Sequence, residues 1–326
     1  MSYRRKVLTL APDERRPIED RVRLLLKAAG VKEPPTPTEN IIACAKMIES
    51  GEIDLDDFRE SLLERGLRRL IEHVDIGQLW NKVRGFFRYD DRIFYVDPTQ
   101  HRHKQIQTTY HEAYHAIDPM HKEMSDLIHL DTDETLAAWA KRKMEREANL
   151  GASLIRFQMG RLQRESRDLP MSMESICYLS ERFDASIHGT LRHYVECGDR
   201  TCIMLVFKLK PKSTVAGEPY YTLRYYLPSP EYEARFEMIW SESVCPDDML
   251  FTVVNSAQPN MPSYDEVTLT DSAGNPVSCI VQGFHNHYDI LVFIYPKPKK
   301  TPDTRVIFGV APASDSSKEI KGIVYS

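Results

Sequence analysis

Residues 106–117 read IQTTYHEAYHAI, and residues 145–155 read EREANLGASLI. The first stretch holds His111-Glu112-Ala113-Tyr114-His115, a sequence of the form HExxH. On a helix, residues four apart share a face, so the two imidazoles can converge on one metal ion. Glu112 adjoins the first histidine, from where a carboxylate can take a proton from a water held at such an ion. A catalytic zinc site needs three protein ligands and one open position. The second stretch can supply the third. Glu145 and Asn149 are four apart and share a face, where a carboxylate completes the ligand set and an amide orients a ligand histidine. Glu147 stands about 200° round the helix from Glu145, so the two cannot face the same ion. Glu145 is the expected ligand, and Glu147 is placed near the opposite side. Ala148 and Ala152 are small and allow the two helices to approach closely.

Working outward, residues 102–117 read as one helix, and a longer one is expected from about 133 to 160 after a polar connection of about a dozen residues. Asp131 and Glu134 stand at capping-box spacing before it. Upstream, KVRGFFRY (82–89) and RIFYV (92–96) flank Asp90-Asp91, a hairpin signal. Residues 18–29, 39–50 and 54–73 carry helical apolar patterns, the first stopping at Gly30 and followed by the breaker-rich EPPTPTEN (33–40). Shorter helices are expected near 173–183 and 187–197. From residue 202 the pattern turns to strands: CIMLVFKL, YYTLRYYL, RFEMIW, MLFTVV, EVTLT, VSCIVQGF, HYDILVFIY and TRVIFGV. Twelve of the 20 prolines fall in this last part, which reads as one antiparallel domain.

The 326 residues carry 43 basic and 48 acidic side chains, a net charge of −5. That balance argues against affinity founded on phosphate neutralisation or on a polybasic membrane surface. No apolar run approaches ~18 residues, so no membrane span is expected, and the N-terminal segment does not read as an export signal. The six cysteines are then expected as free thiols in a reducing, cytoplasmic setting.

IQTTYHEAYHAI followed by EREANLGASLI resembles the zinc metallopeptidases of the ImmA/IrrE family, whose pattern leads through threonines into HExxH and continues with an E-x-E-A-N-x-x-A helix. The hairpin VRGFFRYDDRIFYVD (83–97) resembles the strand pair that precedes that site. The resemblance covers about residues 40–160. It implies an α+β fold with a thermolysin-like, mainly helical zincin core and a small β-hairpin. It also implies a Zn2+ cofactor with His111, His115 and Glu145 as ligands, Glu112 as general base, and Asn149 in support behind the ligands. LSERFDASIHGTLRHYVE (179–196) resembles the helix-turn-helix segment of IrrE-like members, and the β-rich remainder matches a GAF-like sensory domain in size. The expected domains are an N-terminal helical extension (1–38), the peptidase (39–160), the helix-turn-helix-like module (161–198) and the β-rich domain (199–326). The substrate implied is a specific protein, a helix-turn-helix transcriptional repressor. The family's LLMP-like closing run is replaced here by Ser153-Leu154-Ile155-Arg156.

Residues 156–197 hold six basic and six acidic side chains, which argues against direct DNA binding by the helix-turn-helix-like module. Only Arg192 and His193 fall usefully on its recognition helix. Tyr178, Tyr194 and His129 are candidate oxyanion stabilisers without a deciding pattern. Tyr114 reads as packing, and His121 and His129 as surface-loop residues. His285 and His287 form an H-x-H that a strand would present on one face, and Cys197 with Cys202 could form half a metal site. The strand 92–96 is expected to align an extended substrate by sheet addition. The competing function is a non-proteolytic metal-containing regulator whose β-rich domain binds a ligand or partner.

Overall fold

The computed structural model describes residues 6–7, 9–50, 85–89, 91–130, 134–213, 217–237, 240–259, 261–298, 306–307 and 323–324. The helix expected over 54–73 lies outside them. The chain forms two compact units. One comprises Lys6–Pro170 and Leu179–Asp199; the other is mainly Met171–Tyr178 and Arg200–Ser326.

The first unit begins with α1, Pro12–Ala28, which buries Ile18, Val22, Leu25 and Leu26 along one stripe. It starts six residues before the apolar periodicity does, because its first turns are polar. Pro12 presets the first helical φ, and the Glu14 carboxylate accepts the Ala11 N–H at 2.9 Å. The helix expected over 39–50 is shorter: α2 is Thr38–Cys44, and Ile48–Glu49 instead forms β1. The hairpin is present as β2, Gly85–Arg88, and β3, Ile93–Val96.

β3 lies in the middle of a three-stranded sheet, antiparallel to β2 and parallel to β1. The edge along Ile93 and Phe94, expected to receive substrate, is therefore filled by Ile48 and Glu49. Arg92, at φ +58, fixes this sheet in place. Its guanidinium donates to the Lys46 carbonyl at 2.8 Å, to that of Ala45, and to that of Ala116 at 3.0 Å. One side chain thus joins the hairpin to the ends of α2 and of the HEAYH helix.

That helix, α3, runs Arg102–Ile117, as expected. The polar connection after it is itself a helix, α4, Pro119–Leu130. Asp118 Oδ1 accepts the N–H of Met120 at 3.0 Å, and Pro119 occupies the first helical position. The long helix is α5, Glu134–Arg156. It packs against α3 through fully buried Ala148 and Ala152. Gly151 between them is decisive, since a Cβ there would stand 2.1 Å from the Tyr114 ring. Beyond α5 come α6 (Arg161–Arg167), which periodicity did not show, α7 (Met173–Arg182) and α8 (Ile187–Cys197).

Arg156 stands where the resembled family has an apolar closing run, and it acts as a clamp. Its buried guanidinium donates to the carbonyl oxygens of Asp184 at 2.5 Å and His103 at 2.9 Å and lies over the Tyr110 ring. Burial pulls its pKa down to about 10, against the charges of Tyr110 and Asp184, which raise it. His193, expected on a recognition face of α8, instead is buried. Its Nδ1 is 2.8 Å from Ser153 Oγ and its ring stacks on Phe157.

The second unit is built on an antiparallel sheet. Its strands are β4 (Ile203–Lys208), β5 (Lys212–Ser213), β6 (Pro219–Pro228), β7 (Ser243–Val244), β8 (Ser263–Thr270), β9 (Pro276–His285) and β10 (Asp289–Pro296). The order is β5-β6-β4-β10-β9-β8, with β7 on β6. β4 and β10 are buried on both faces, which is why their sequences are continuous apolar runs. Two expected strands are corrected. RFEMIW follows a short helix, α9, Pro230–Arg235, capped by Ser229, and it contributes Phe236 and Trp240 to the core as non-strand residues. MLFTVV becomes α10, Phe251–Ser256, burying Val253 and Val254. Short apolar runs do not distinguish strand from helix by period alone. Of TRVIFGV, Val306–Ile307 (β11) is described, paired with Ile323–Val324 (β12).

His285 ends β9, and His287 lies in the following turn at φ +70, so the pair does not share a strand face. All six cysteines are unbridged. Cys197 takes a hydrogen bond from Arg15 at 3.0 Å, and burial pushes its thiol up to about 12. Cys202 is a buried residue beside β4.

Candidate metal centre

α3 and α5 bring the expected ligands together. His111 Nε2 and His115 Nε2 are 3.1 Å apart. Glu145 Oε2 lies 3.4 Å from His111 Nε2, and its Oε1 lies 3.9 Å from His115 Nε2. The three groups form one of the two His/Cys/Asp/Glu clusters of metal-binding spacing among the described residues. Zinc bonds of 2.0–2.1 Å arranged tetrahedrally place neighbouring ligand atoms about 3.3 Å apart. The 3.1 and 3.4 Å separations fit that edge. The donor set, two imidazole nitrogens and one carboxylate oxygen, suits zinc as well. His111 and His115 are mostly covered, while the Glu145 side chain is half exposed, so the centre opens toward solvent on the Glu145 side.

The local electrostatics favour a cation. Burial alone would depress the His111 pKa, but the Glu145 hydrogen bond, the charges of Glu112 and Glu145, and Asn149 outweigh it and leave the pKa raised. Glu145 is held below its ordinary value chiefly by its hydrogen bond to His111, against burial. Metal binding would replace the proton that this arrangement attracts. Glu112 is buried next to His111 on α3. Asn149 donates its amide N–H to the Glu145 backbone oxygen at 2.7 Å and hydrogen-bonds toward His111, so it touches both.

Behind His115 lies a group that sequence reasoning assigned elsewhere. His121 is not in a surface loop. It is fully buried near the start of α4, with its Nδ1 2.9 Å from His115 Nδ1 and its Nε2 2.9 Å from Glu147 Oε2. Glu147 is thus the rear partner of the centre, on a different face of α5 from Glu145. Tyr89 Oη, from the hairpin turn, lies 3.4 Å from His115 Nδ1. Asp118 closes the base of the cluster. Its Oδ2 accepts the Tyr114 hydroxyl at 2.9 Å and sits 3.1 Å from an Arg21 nitrogen. The Asp118-Pro119 helix start was the signal that could have placed His121, since capping and proline at the first position announce α4. Tyr114 is packing, as expected: it is buried under Gly151 and bonded to Asp118. Tyr194 is buried and Tyr178 exposed. His129 falls within α4, not in a loop, and its side chain lies outside the described set.

No family model matches the chain, and no curated protein does. Among solved structures, a Mycobacterium tuberculosis transcriptional regulator aligns over 86% of this chain and 75% of its own, with TM-score 0.51 and 12% identity. At that identity the similarity is one of fold. No described helix is long and apolar enough to cross a membrane.

Proposed function

We propose that this chain is a zinc-dependent endopeptidase of ImmA/IrrE type that cleaves a specific protein. The observation that carries the reading is the convergence of His111, His115 and Glu145 with Glu112 buried beside them. Held by His111, His115 and Glu145, a zinc ion would supply a water of lowered pKa and a Lewis acid for the carbonyl. Glu112 accepts the proton of the attacking water and returns it to the leaving amine. His111 and His115 hold their ring nitrogens toward one point, and Asn149 steadies His111 and Glu145. The thermolysin-like description rests on this two-histidine, one-glutamate set. The substrate proposed is a helix-turn-helix repressor, so that cleavage changes transcription, as in a stress response. Direct DNA binding is not part of the proposal, because His193 is buried and Arg192 is paired with Glu196 at 3.5 Å. The unbridged thiols support a cytoplasmic setting. The β-rich unit, one antiparallel sheet with short helices, supports a GAF-like role in sensing a ligand or partner.

The test is a proteome comparison of cells carrying wild type or Glu112→Gln. One protein cleaved only with wild type is expected. A second reading, a metal-containing regulator without proteolysis, is favoured by the name of the M. tuberculosis regulator that shares the fold. Identical behaviour of wild type and Glu112→Gln in cells would select it.

A further inference from the structure

We propose that His121 and Glu147 are positioning residues that fix the His115 tautomer, placing its proton on Nδ1 and leaving Nε2 as a metal ligand. This deepens the metal-centre reading and rests on it. The argument follows the hydrogen-bond sense along a chain of contacts. A carboxylate only accepts, so the 2.9 Å contact between Glu147 Oε2 and His121 Nε2 places a proton on that nitrogen. A histidine that ligates through Nε2 carries its ring proton on Nδ1, so in the metal centre His121 Nδ1 is the acceptor. The 2.9 Å contact between the two Nδ1 atoms therefore needs its proton from His115. With Nδ1 protonated, the neutral His115 ring carries its lone pair on Nε2, the atom facing His111 and Glu145. Ligand histidines commonly have their remote N–H held by a carboxylate or carbonyl. Here an imidazole stands between the ligand histidine and its carboxylate, and it transmits the same orientation one ring further back.

The alternative use of these groups is a second metal site, since Asp118, His121 and Glu147 also cluster at ligand spacing. The contacts argue against it. His121 engages both ring nitrogens at hydrogen-bond length. Asp118 spends Oδ1 on the Met120 N–H and Oδ2 on Tyr114 and Arg21. A cation here would displace bonds already made.

The test uses the full chain and zinc alone. Zinc affinity, read by competition with a chromogenic chelator, is expected to fall about 10–100-fold in His121→Phe and by less in Glu147→Gln, as loss of support behind a ligand does. Imidazole nitrogen NMR of the zinc-free protein is expected to show His115 protonated at Nδ1 in wild type and to lose that preference in both variants. His115→Ala is the control. If it still binds zinc as wild type does, the metal-centre reading fails. If it loses zinc while His121→Phe keeps wild-type affinity and His115 keeps its Nδ1 proton, the positioning inference alone is overturned. Two zinc ions in wild type, falling to one in His121→Phe, would also overturn it by making His121 a ligand. Should His121→Phe not fold, Glu147→Gln decides: unchanged affinity with an unchanged His115 tautomer overturns the inference.

Discussion

The two clusters of the α3–α5 region have nearly the same composition and opposite construction. His111, His115 and Glu145 face solvent on one side, and their donor atoms lie 3.1 to 3.9 Å apart. Asp118, His121 and Glu147 are closed, hydrogen-bonded at 2.9 Å, and Asp118 is met by Arg21. The first arrangement turns two imidazole nitrogens and a carboxylate toward one point, at a spacing that could hold a cation. The second uses similar residue types up in other bonds, His121 with Glu147 and His115, and Asp118 with Tyr114, Met120 and Arg21. Ligand identity alone therefore does not define a metal site; what differs is that the donors of the first cluster turn toward one solvent-facing point, while those of the second are covered and tied to other groups.

Several substitutions would break or sharpen that contrast. The largest effect is expected from Glu145→Ala, which removes a donor from the open cluster. Zinc affinity should fall by more than about 100-fold, beyond what a supporting residue costs, while thermal unfolding changes little because Glu145 is half exposed. Gly151→Ala attacks the framework both clusters share. A Cβ 2.1 Å from the Tyr114 ring forces α5 away from α3, with an expected loss of about 3 kcal/mol in denaturant unfolding.

Asp118→Asn acts on the closed cluster. It should leave zinc stoichiometry unchanged and cost about 2 kcal/mol, less than a fully buried pair because Arg21 is partly exposed. An effect that is negligible at neutral pH and grows only on acidification tests the helical unit away from both clusters. Burial, with help from Arg15, holds His193 down at about 3 when folded, while the unfolded side chain protonates near ~6.5. Between those values the unfolded state binds more protons. Stability should thus fall as pH drops from ~6.5 toward 3, by about 1.4 kcal/mol per pH unit at most, and His193→Phe should flatten that slope in urea titrations.

The open cluster was legible because its signals are local. HEAYH fixes a helical face; helix geometry separates Glu145 from Glu147, and Glu145 is preferred because it shares a face with Asn149 and Ala152. α3 runs Arg102–Ile117, the span that its sequence indicates. The closed cluster was not legible, because it is assembled across α3, α4 and α5. Read as a polar connection, the dozen residues after Asp118-Pro119 offer His121 no face to belong to. The same limit produced the misread strands RFEMIW and MLFTVV, whose Phe236, Trp240, Leu250, Val253 and Val254 are buried by tertiary context as non-strand residues. It also hid the filled edge of β3, since the two-residue β1 carries no pattern of its own.

The central claim is that His111, His115 and Glu145 form one metal site. Zinc content after reconstitution and removal of free metal tests it most directly, compared between wild type, Glu112→Gln and His111→Ala. The account predicts about one zinc per chain in wild type and in Glu112→Gln, and none in His111→Ala. Zinc retained in His111→Ala, or none bound by wild type, would contradict it.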